Sequence, residues 1–116
     1  MKTLQFAALT LAASFSALLS AATTVNNDAI TNPGSEWLSY GRDYTEQRFS
    51  PLEQVNRDNV NELDLAWSFK FETARGMEAT PLVHNGVIYV STGWSHVYAL
   101  DARSGEQLWH YDAQVP

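Results

Sequence analysis

The sequence contains no cysteine, few basic residues and, after its first 22 residues, no long apolar run. Without cysteine, no disulfide bridge can hold the chain together. Seven basic side chains against 13 acidic ones give a net charge of −6. This balance argues against a nucleic-acid partner, because such proteins carry a basic stripe on their surface. It suits an exported protein with a cationic partner.

Residues 1–22 resemble a secretory signal peptide. Lys2 is the only charged residue before Asp28, and the stretch between them is mainly apolar or small. Ser20 and Ala22 fit the small residues required at positions −3 and −1 of a cleavage site. The alternative is a membrane anchor, but the apolar run is short and has no stop-transfer charges after it. We predict cleavage after Ala22 and no stable membrane span in the remaining chain.

Residues 23–64 predict a polar arm followed by an aromatic wrap with short helical turns. The arm is rich in Asn, Thr, Gly and Pro, and the wrap has neither helical nor strand periodicity. Residues 50–53 have the order of a capping box with proline at the first helical position. Asp58 can cap a second turn that places Val60 and Leu63 on one face.

The remaining chain predicts an all-β fold. Residues 65–71 (LAWSFKF) have the alternation of a strand with Trp67, Phe69 and Phe71 on one face. Asn85-Gly86 is a strong hairpin motif. The apolar run after it predicts a strand buried on both faces. Together these patterns predict a meander of four strands at 79–84, 87–91, 96–100 and 107–111.

Residues 99–109 (ALDARSGEQLW) predict the last hairpin of this meander. The Asp101 carboxylate can accept hydrogen bonds from the amides that follow it, and Gly105 can take the positive φ of a bulged turn. Trp109 then predicts a ring buried against a neighbouring sheet. Trp67 and Trp109 are 42 residues apart, an interval typical of one propeller blade. Two tryptophans are too few to establish a repeat, so a single small β domain with two core tryptophans remains the alternative.

The same residues carry a family resemblance. ALDARSGEQLW resembles the tryptophan-docking motif of the pyrroloquinoline-quinone (PQQ) dehydrogenases. Ala99, Asp101, Gly105 and Trp109 match it, and Ser104 replaces a threonine while keeping the hydroxyl. EATPLVHNGVIYVST resembles the first blade of that family, and WLSYGRDYTEQRFSPLEQVNRDNVNELDLAW resembles its N-terminal wrap. The likeness is nearest to the periplasmic quinoprotein and quinohaemoprotein alcohol dehydrogenases.

The resemblance implies a chain that is the N-terminal part of an eight-bladed propeller, with residues 65–116 as its start. Within them, 65–71 would be an outer strand of the closing blade and 79–111 the first blade. The family binds PQQ near a calcium ion, whose ligands and catalytic base would lie outside this chain. Hydride passes from an alcohol to the quinone, and electrons leave to a cytochrome c-type acceptor. A C-terminal haem c domain occurs in part of the family.

Glu78 is the one candidate cofactor-binding residue in the chain. It precedes the first strand of the meander, and the first strand of a blade generally lines the central channel. The family has a glutamate in the same context, Glu-x-x-Pro-Leu-Val, as a hydrogen-bond partner of PQQ. The alternative is a solvated carboxylate in a turn. The resemblance favours contact with the cofactor, and no residue of this chain is predicted to be catalytic or to ligate a metal.

The other candidates carry less chemistry. His84, His96 and His110 lie on different predicted strands without zinc-ligand spacing and are interpreted as structural or surface residues. Trp94 lies in a turn, where it either covers the channel mouth or is exposed.

Two functional classes remain open. The first is an exported PQQ-dependent alcohol dehydrogenase. This chain alone would be inactive, because it lacks the calcium ligands and the base, and poorly stable, because its blade would leave two faces without neighbours. The second is a non-catalytic propeller with PQQ-like repeats that serves as an exported binding or assembly scaffold. A third reading, a self-contained β domain, requires a reading frame that ends at Pro116.

Overall fold

The computed structural model describes residues 24–115, so the predicted signal peptide lies outside the described residues. Antiparallel strands make up most of its regular structure, and helix is limited to single turns. The longest helix within 24–115 has five residues, far too few to cross a bilayer. The elements in chain order are α1 (Asn27–Thr31), a 3₁₀ turn (Val60–Glu62), β1 (Leu82–His84), β2 (Val87–Ser91), a 3₁₀ turn (Gly93–Ser95), β3 (His96–Asp101) and β4 (Gln107–Asp112).

The four strands form one antiparallel sheet in the order β1-β2-β3-β4, which confirms the predicted meander. Asn85 and Gly86 close the first hairpin with φ values of 50° and 73°, as a two-residue turn of this kind requires. β1 is shorter than predicted and begins at Leu82. The preceding Pro81 has no N–H to donate to a ladder, which explains the late start.

One face of the sheet is covered by the chain itself. Val90, Tyr98 and Leu100 form its buried core, and the aromatic side chains of residues 65–71 pack against them. Phe69 and Phe71 lie with ring centroids 5.9 and 4.9 Å from that of Tyr98. We call this the covered face, defined by Ile88, Val90, Tyr98 and Leu100.

Residues 65–71 have no ladder partner within the described part of the chain, so the strand predicted there is not a strand of this sheet. The prediction that Trp67, Phe69 and Phe71 lie on the same face of their segment is confirmed, because all three pack on the same core. The covering segment also corrects the prediction that both faces of the blade would lack neighbours.

The opposite face is open. It is defined by Leu82, Tyr89, Val97, Trp109 and Tyr111, which are aligned by the strand register. Trp109 and Tyr111 are 45% and 59% exposed, because no second sheet lies against them within residues 24–115. Burial of the Trp109 ring against a neighbouring sheet therefore stays a prediction. The predicted burial of β2 on both faces is wrong within the described residues. Only Val90, which points to the covered face, is buried in β2.

The arm and the wrap meet the sheet at its β1 edge. The backbones of Trp37 and Val83 exchange two hydrogen bonds of 3.0 and 2.9 Å, which extend the sheet by one bridge. Val25 and Leu38 line a depression together with Leu82 at the same end of the open face. The wrap thus covers part of an edge and leaves most of the open face free.

Short helical structure in the arm and wrap differs from the predictions. The arm contains α1, whose Asn26 side chain accepts a 2.9 Å hydrogen bond from the Ala29 amide as an N-cap. Residues 50–53 form no helical turn, and the Ser50 hydroxyl accepts only from the Leu52 amide. The predicted second turn exists at Val60–Glu62, but its N-cap residue is Asn59 rather than Asp58.

Candidate functional site

The turn between β3 and β4 is built around the Asp101 carboxylate. Its Oδ1 accepts hydrogen bonds from the amides of Arg103 (2.9 Å) and Ser104 (2.8 Å) and from the Ser104 hydroxyl (3.0 Å). These donors, the Ser104 amide first, lower the pKa of Asp101 because they stabilise its charged form. Gly105 has φ 73° and donates its amide to the Asp101 carbonyl. The predicted turn chemistry is confirmed.

Trp67 docks on this turn. Its indole Nε1 donates a 3.2 Å hydrogen bond to the carbonyl of Ala102, and its ring lies over Gly105. A Cβ at Gly105 would be 2.5 Å from Trp67 Cδ2, so the close approach requires glycine. The tryptophan held by this turn is therefore Trp67, whereas the motif's own Trp109 lies on the open face.

Glu78 lies in an irregular segment, residues 72–79, which we call the Glu78 segment. Its side chain is exposed, and no hydrogen bond or ion pair of its carboxylate is found among residues 24–115. It borders an open depression of about 230 Å³ that is also lined by Met77 and by Ser91 and Gly93. The carboxylate can therefore be reached both by a ligand in this depression and by solvent.

The exposed carboxylate of Glu78 is chemically compatible with the predicted contact to PQQ. A carboxylate can accept a hydrogen bond from a polar planar ligand, and two of the residues that line the depression, Gly76 and Gly93, have no side chain. The role of Glu78 toward PQQ stays a prediction. Within residues 24–115, no cluster of three or more histidine or carboxylate side chains is arranged to hold a metal ion.

A cation–aromatic pair joins the Glu78 segment to the turn between β2 and β3 and was not predicted from the sequence. The Arg75 guanidinium is 4.4 Å from the centroid of the Trp94 ring. The Trp94 ring is 52% exposed, and its backbone has φ 64°, a left-handed conformation that is uncommon for a bulky residue. The two residues also border a cleft of about 300 Å³ on the other side of Gly93. No local pattern links Arg75 to Trp94, because they are brought together only by the fold.

Two of the three histidines are in contact, although they lie on different strands as predicted. His96 Nδ1 and His110 Nε2 are 2.8 Å apart, and the two ring planes differ by 8°. His96 Nε2 also lies 3.8 Å from Asp112 Oδ1. The register pairs Tyr98 with His110, so the contact is the diagonal one between neighbouring strands. His84 lies apart from this pair, with its Nδ1 3.8 Å from Glu36 Oε2.

Comparison with known proteins identifies the fold to which this site belongs. A family model described as "PQQ: Glucose/ethanol/alcohol dehydrogenase, beta-propeller domain" matches residues 37–116. The chain belongs to this family. The four-stranded sheet is accordingly one blade of a PQQ dehydrogenase propeller, as the sequence predicts.

Individual members of the PQQ dehydrogenase family are similar over most of this chain. Quinohemoprotein alcohol dehydrogenase ADH IIB of Pseudomonas putida is 56% identical over 87 residues, which are 75% of this chain and 13% of the relative. The 1-butanol dehydrogenase (cytochrome c) of Thauera butanivorans is 53% identical over 83 residues, 72% of this chain and 12% of the relative. The crystal structure of quinohemoprotein alcohol dehydrogenase from Comamonas testosteroni matches with a TM-score of 0.74 and 46% identity, covering 78% of this chain and 14% of that one.

The chain thus spans between 12% and 14% of the length of these relatives. Within the PQQ dehydrogenase family it corresponds to one blade and the segments that lead into it.

Proposed function

We propose that this chain is the N-terminal part of an exported, eight-bladed alcohol dehydrogenase that depends on PQQ and calcium. Membership of the PQQ dehydrogenase family supports the cofactor, and the printed names of the similar proteins support an alcohol as the substrate. In this proposal residues 65–71 belong to the closing blade and residues 79–111 form the first blade.

The observation that carries the proposal is the contrast between the two faces of the sheet. The covered face is packed by Trp67 and its neighbours, while Trp109 and Tyr111 leave a broad aromatic surface open to solvent. Monomeric proteins rarely expose contiguous apolar surface of this kind unless it has a partner. The next blade of a ring would supply that partner.

Glu78 is the residue that would hold PQQ in this chain. Its carboxylate would accept a hydrogen bond from the cofactor and fix its orientation at the end of the first blade. When bound, the quinone supplies the two-electron oxidant for removal of hydride from the alcohol carbon. The calcium ion, its ligands and the base are assigned to later blades.

The route of the electrons and the location of the enzyme follow the same reasoning. The similar protein from Thauera butanivorans is named for cytochrome c, which supports a cytochrome c-type acceptor for this protein. The net charge of −6 would favour encounter with a basic cytochrome. Residues 1–22 would direct the protein to the periplasm, and a haem c domain is found in the quinohaemoprotein members to which the chain is similar.

The test is to express the natural gene product in full and measure oxidation of ethanol with an artificial electron acceptor, with and without PQQ and calcium. We expect activity only when both are present. Glu78→Gln should weaken PQQ binding in a titration, whereas Glu53→Gln, a change at an exposed wrap residue, should not. A protein that takes up no PQQ would support the scaffold and overturn the enzyme. Stoichiometric PQQ binding by residues 23–116 alone would contradict the assignment of the remaining site to later blades.

A further inference from the structure

The Glu78 segment has few other attachments to the sheet. Its one hydrogen bond in the described chain is internal, from the Arg75 amide to the Thr73 hydroxyl at 3.1 Å. Met77 lines an apolar cavity that is also bordered by the aromatic residues of 65–71 and by the covered face. Its side chain remains 42% exposed. The segment therefore depends on side-chain contacts for its position.

Arg75 supplies such a contact by crossing the turn between β2 and β3. A Cβ at Gly93 would lie 3.3 Å from both Cβ and Cδ of Arg75, so the arginine stem packs directly on the Gly93 backbone. Beyond Gly93 the guanidinium lies over the Trp94 ring at 4.4 Å. The pair thus ties the Glu78 segment to the same turn that forms the far side of the depression beside Glu78.

The backbone of Trp94 indicates that the position of its ring matters. Its φ of 64° and ψ of 24° suit glycine and disfavour a bulky side chain, and Ser95 follows with φ 60°. Such strain persists where surrounding structure holds it in place, and it concentrates at functional sites. Here the strained residue is the one that offers the Arg75 guanidinium its aromatic platform.

We propose that Arg75 and Trp94 act as a clamp that positions Glu78 for the cofactor. They are positioning residues, since they act through the segment that carries the carboxylate. The inference rests on the proposed function, and it adds two residues whose contribution should appear in PQQ affinity before it appears in stability.

The experiment titrates PQQ into the full-length apoprotein in the presence of calcium and follows the absorbance of bound quinone. Arg75→Met keeps the stem that packs on Gly93 and removes the charge. Trp94→Gly removes the ring and relieves the backbone. We expect each to weaken PQQ binding about three- to tenfold, the range of an exposed to partly desolvated cation–π contact. The melting temperature should be unchanged in Arg75→Met and should not fall in Trp94→Gly. Arg75→Lys should restore part of the affinity, and Arg57→Met is the matched control in the wrap.

Epistasis with Glu78 separates a clamp from a general structural role. In a Glu78→Gln background, Arg75→Met should cause no further loss, because the group that it positions is no longer an anionic acceptor. Unchanged affinity in Arg75→Met, or an equal loss in both backgrounds, would overturn the clamp while leaving the proposed function intact. A wild-type protein that binds no PQQ would overturn the proposed function and the clamp with it.

Discussion

The two faces of the single sheet differ although the same four strands build both. On the covered face, Tyr98 and Leu100 are each 3% exposed beneath the rings of residues 65–71. On the open face, Trp109 and Tyr111 are about half exposed. Both faces carry large apolar side chains, so hydrophobicity alone does not determine which one is buried here.

The difference lies in which part of the chain supplies the cover. The covering segment precedes the sheet by about ten residues and is seated by Trp67 on the turn that begins at Asp101. The open face has no such segment within residues 24–115. Within residues 24–115, the chain therefore supplies a cover for one side of the sheet and leaves the other side open.

The largest expected effect comes from Tyr98→Ala on the covered face. Removing a fully buried aromatic ring leaves a cavity and should lower the free energy of unfolding by about 3–5 kcal/mol. The matched change on the open face, Tyr111→Ala, should cost less than about 0.5 kcal/mol in the isolated chain, as exposed sites do. Urea unfolding followed by tryptophan fluorescence measures both.

The same pair sharpens the contrast in a longer protein. If a neighbouring blade covers the open face, Tyr111→Ala should become costly in the full-length gene product while the effect of Tyr98→Ala stays large. Equal costs for both changes in the isolated chain would refute the distinction between the two faces.

Gly105→Ala tests the seat of the covering segment. The new methyl group would meet the Trp67 ring, which adds about 1–3 kcal/mol of overpacking to the backbone cost. Gly86→Ala is the matched control, because Gly86 has the same φ of 73° with open space around it. It should cost only the ~1–2 kcal/mol of a left-handed alanine. The difference in unfolding free energy between the two variants measures the contact between Trp67 and residue 105. Equal unfolding free energies would mean that Trp67 does not pack on this turn in solution.

The smallest effect is expected at Asp101 and should appear as a change in pH dependence. The folded chain lowers the pKa of this carboxyl, so its contribution to stability is complete above the unfolded value of about 4 and disappears as the pH falls through the lower folded value. Asp101→Asn should remove this part of the acid sensitivity. Unfolding curves measured between about pH 2 and pH 6, on both sides of the unfolded pKa, would show it. Ser104→Ala, which loses one of the three donors, should be intermediate, and identical curves for all three proteins would contradict the assignment.

The features that were predictable from sequence are those determined within a few residues of chain. Asp101 and Gly105 form their turn by bonds to neighbours two to four residues away, and Asn85-Gly86 closes its hairpin in the same way. The alternation of aromatic residues in 65–71 likewise fixed a common face. A local motif still fails where nothing packs against it, as at residues 50–53, which are largely exposed and not helical.

The features that could not be predicted from sequence depend on contacts between distant segments. The exposure of Trp109 is decided by what lies across the open face, and the Arg75–Trp94 contact by how an irregular segment crosses a turn. The contact of His96 with His110 was accessible in principle, because the hairpin register sets them diagonally across β3 and β4. Recognising it required aligning the two strands rather than searching for ligand spacing.

The bridge between Trp37 and Val83 has a consequence for biosynthesis. A free strand edge can recruit the edge of another molecule while a nascent protein is still incomplete. Because Trp37 leaves the ribosome well before Val83, the partner for this edge is already available when β1 emerges. The wrap can therefore act as a built-in guard against intermolecular strand pairing during translation.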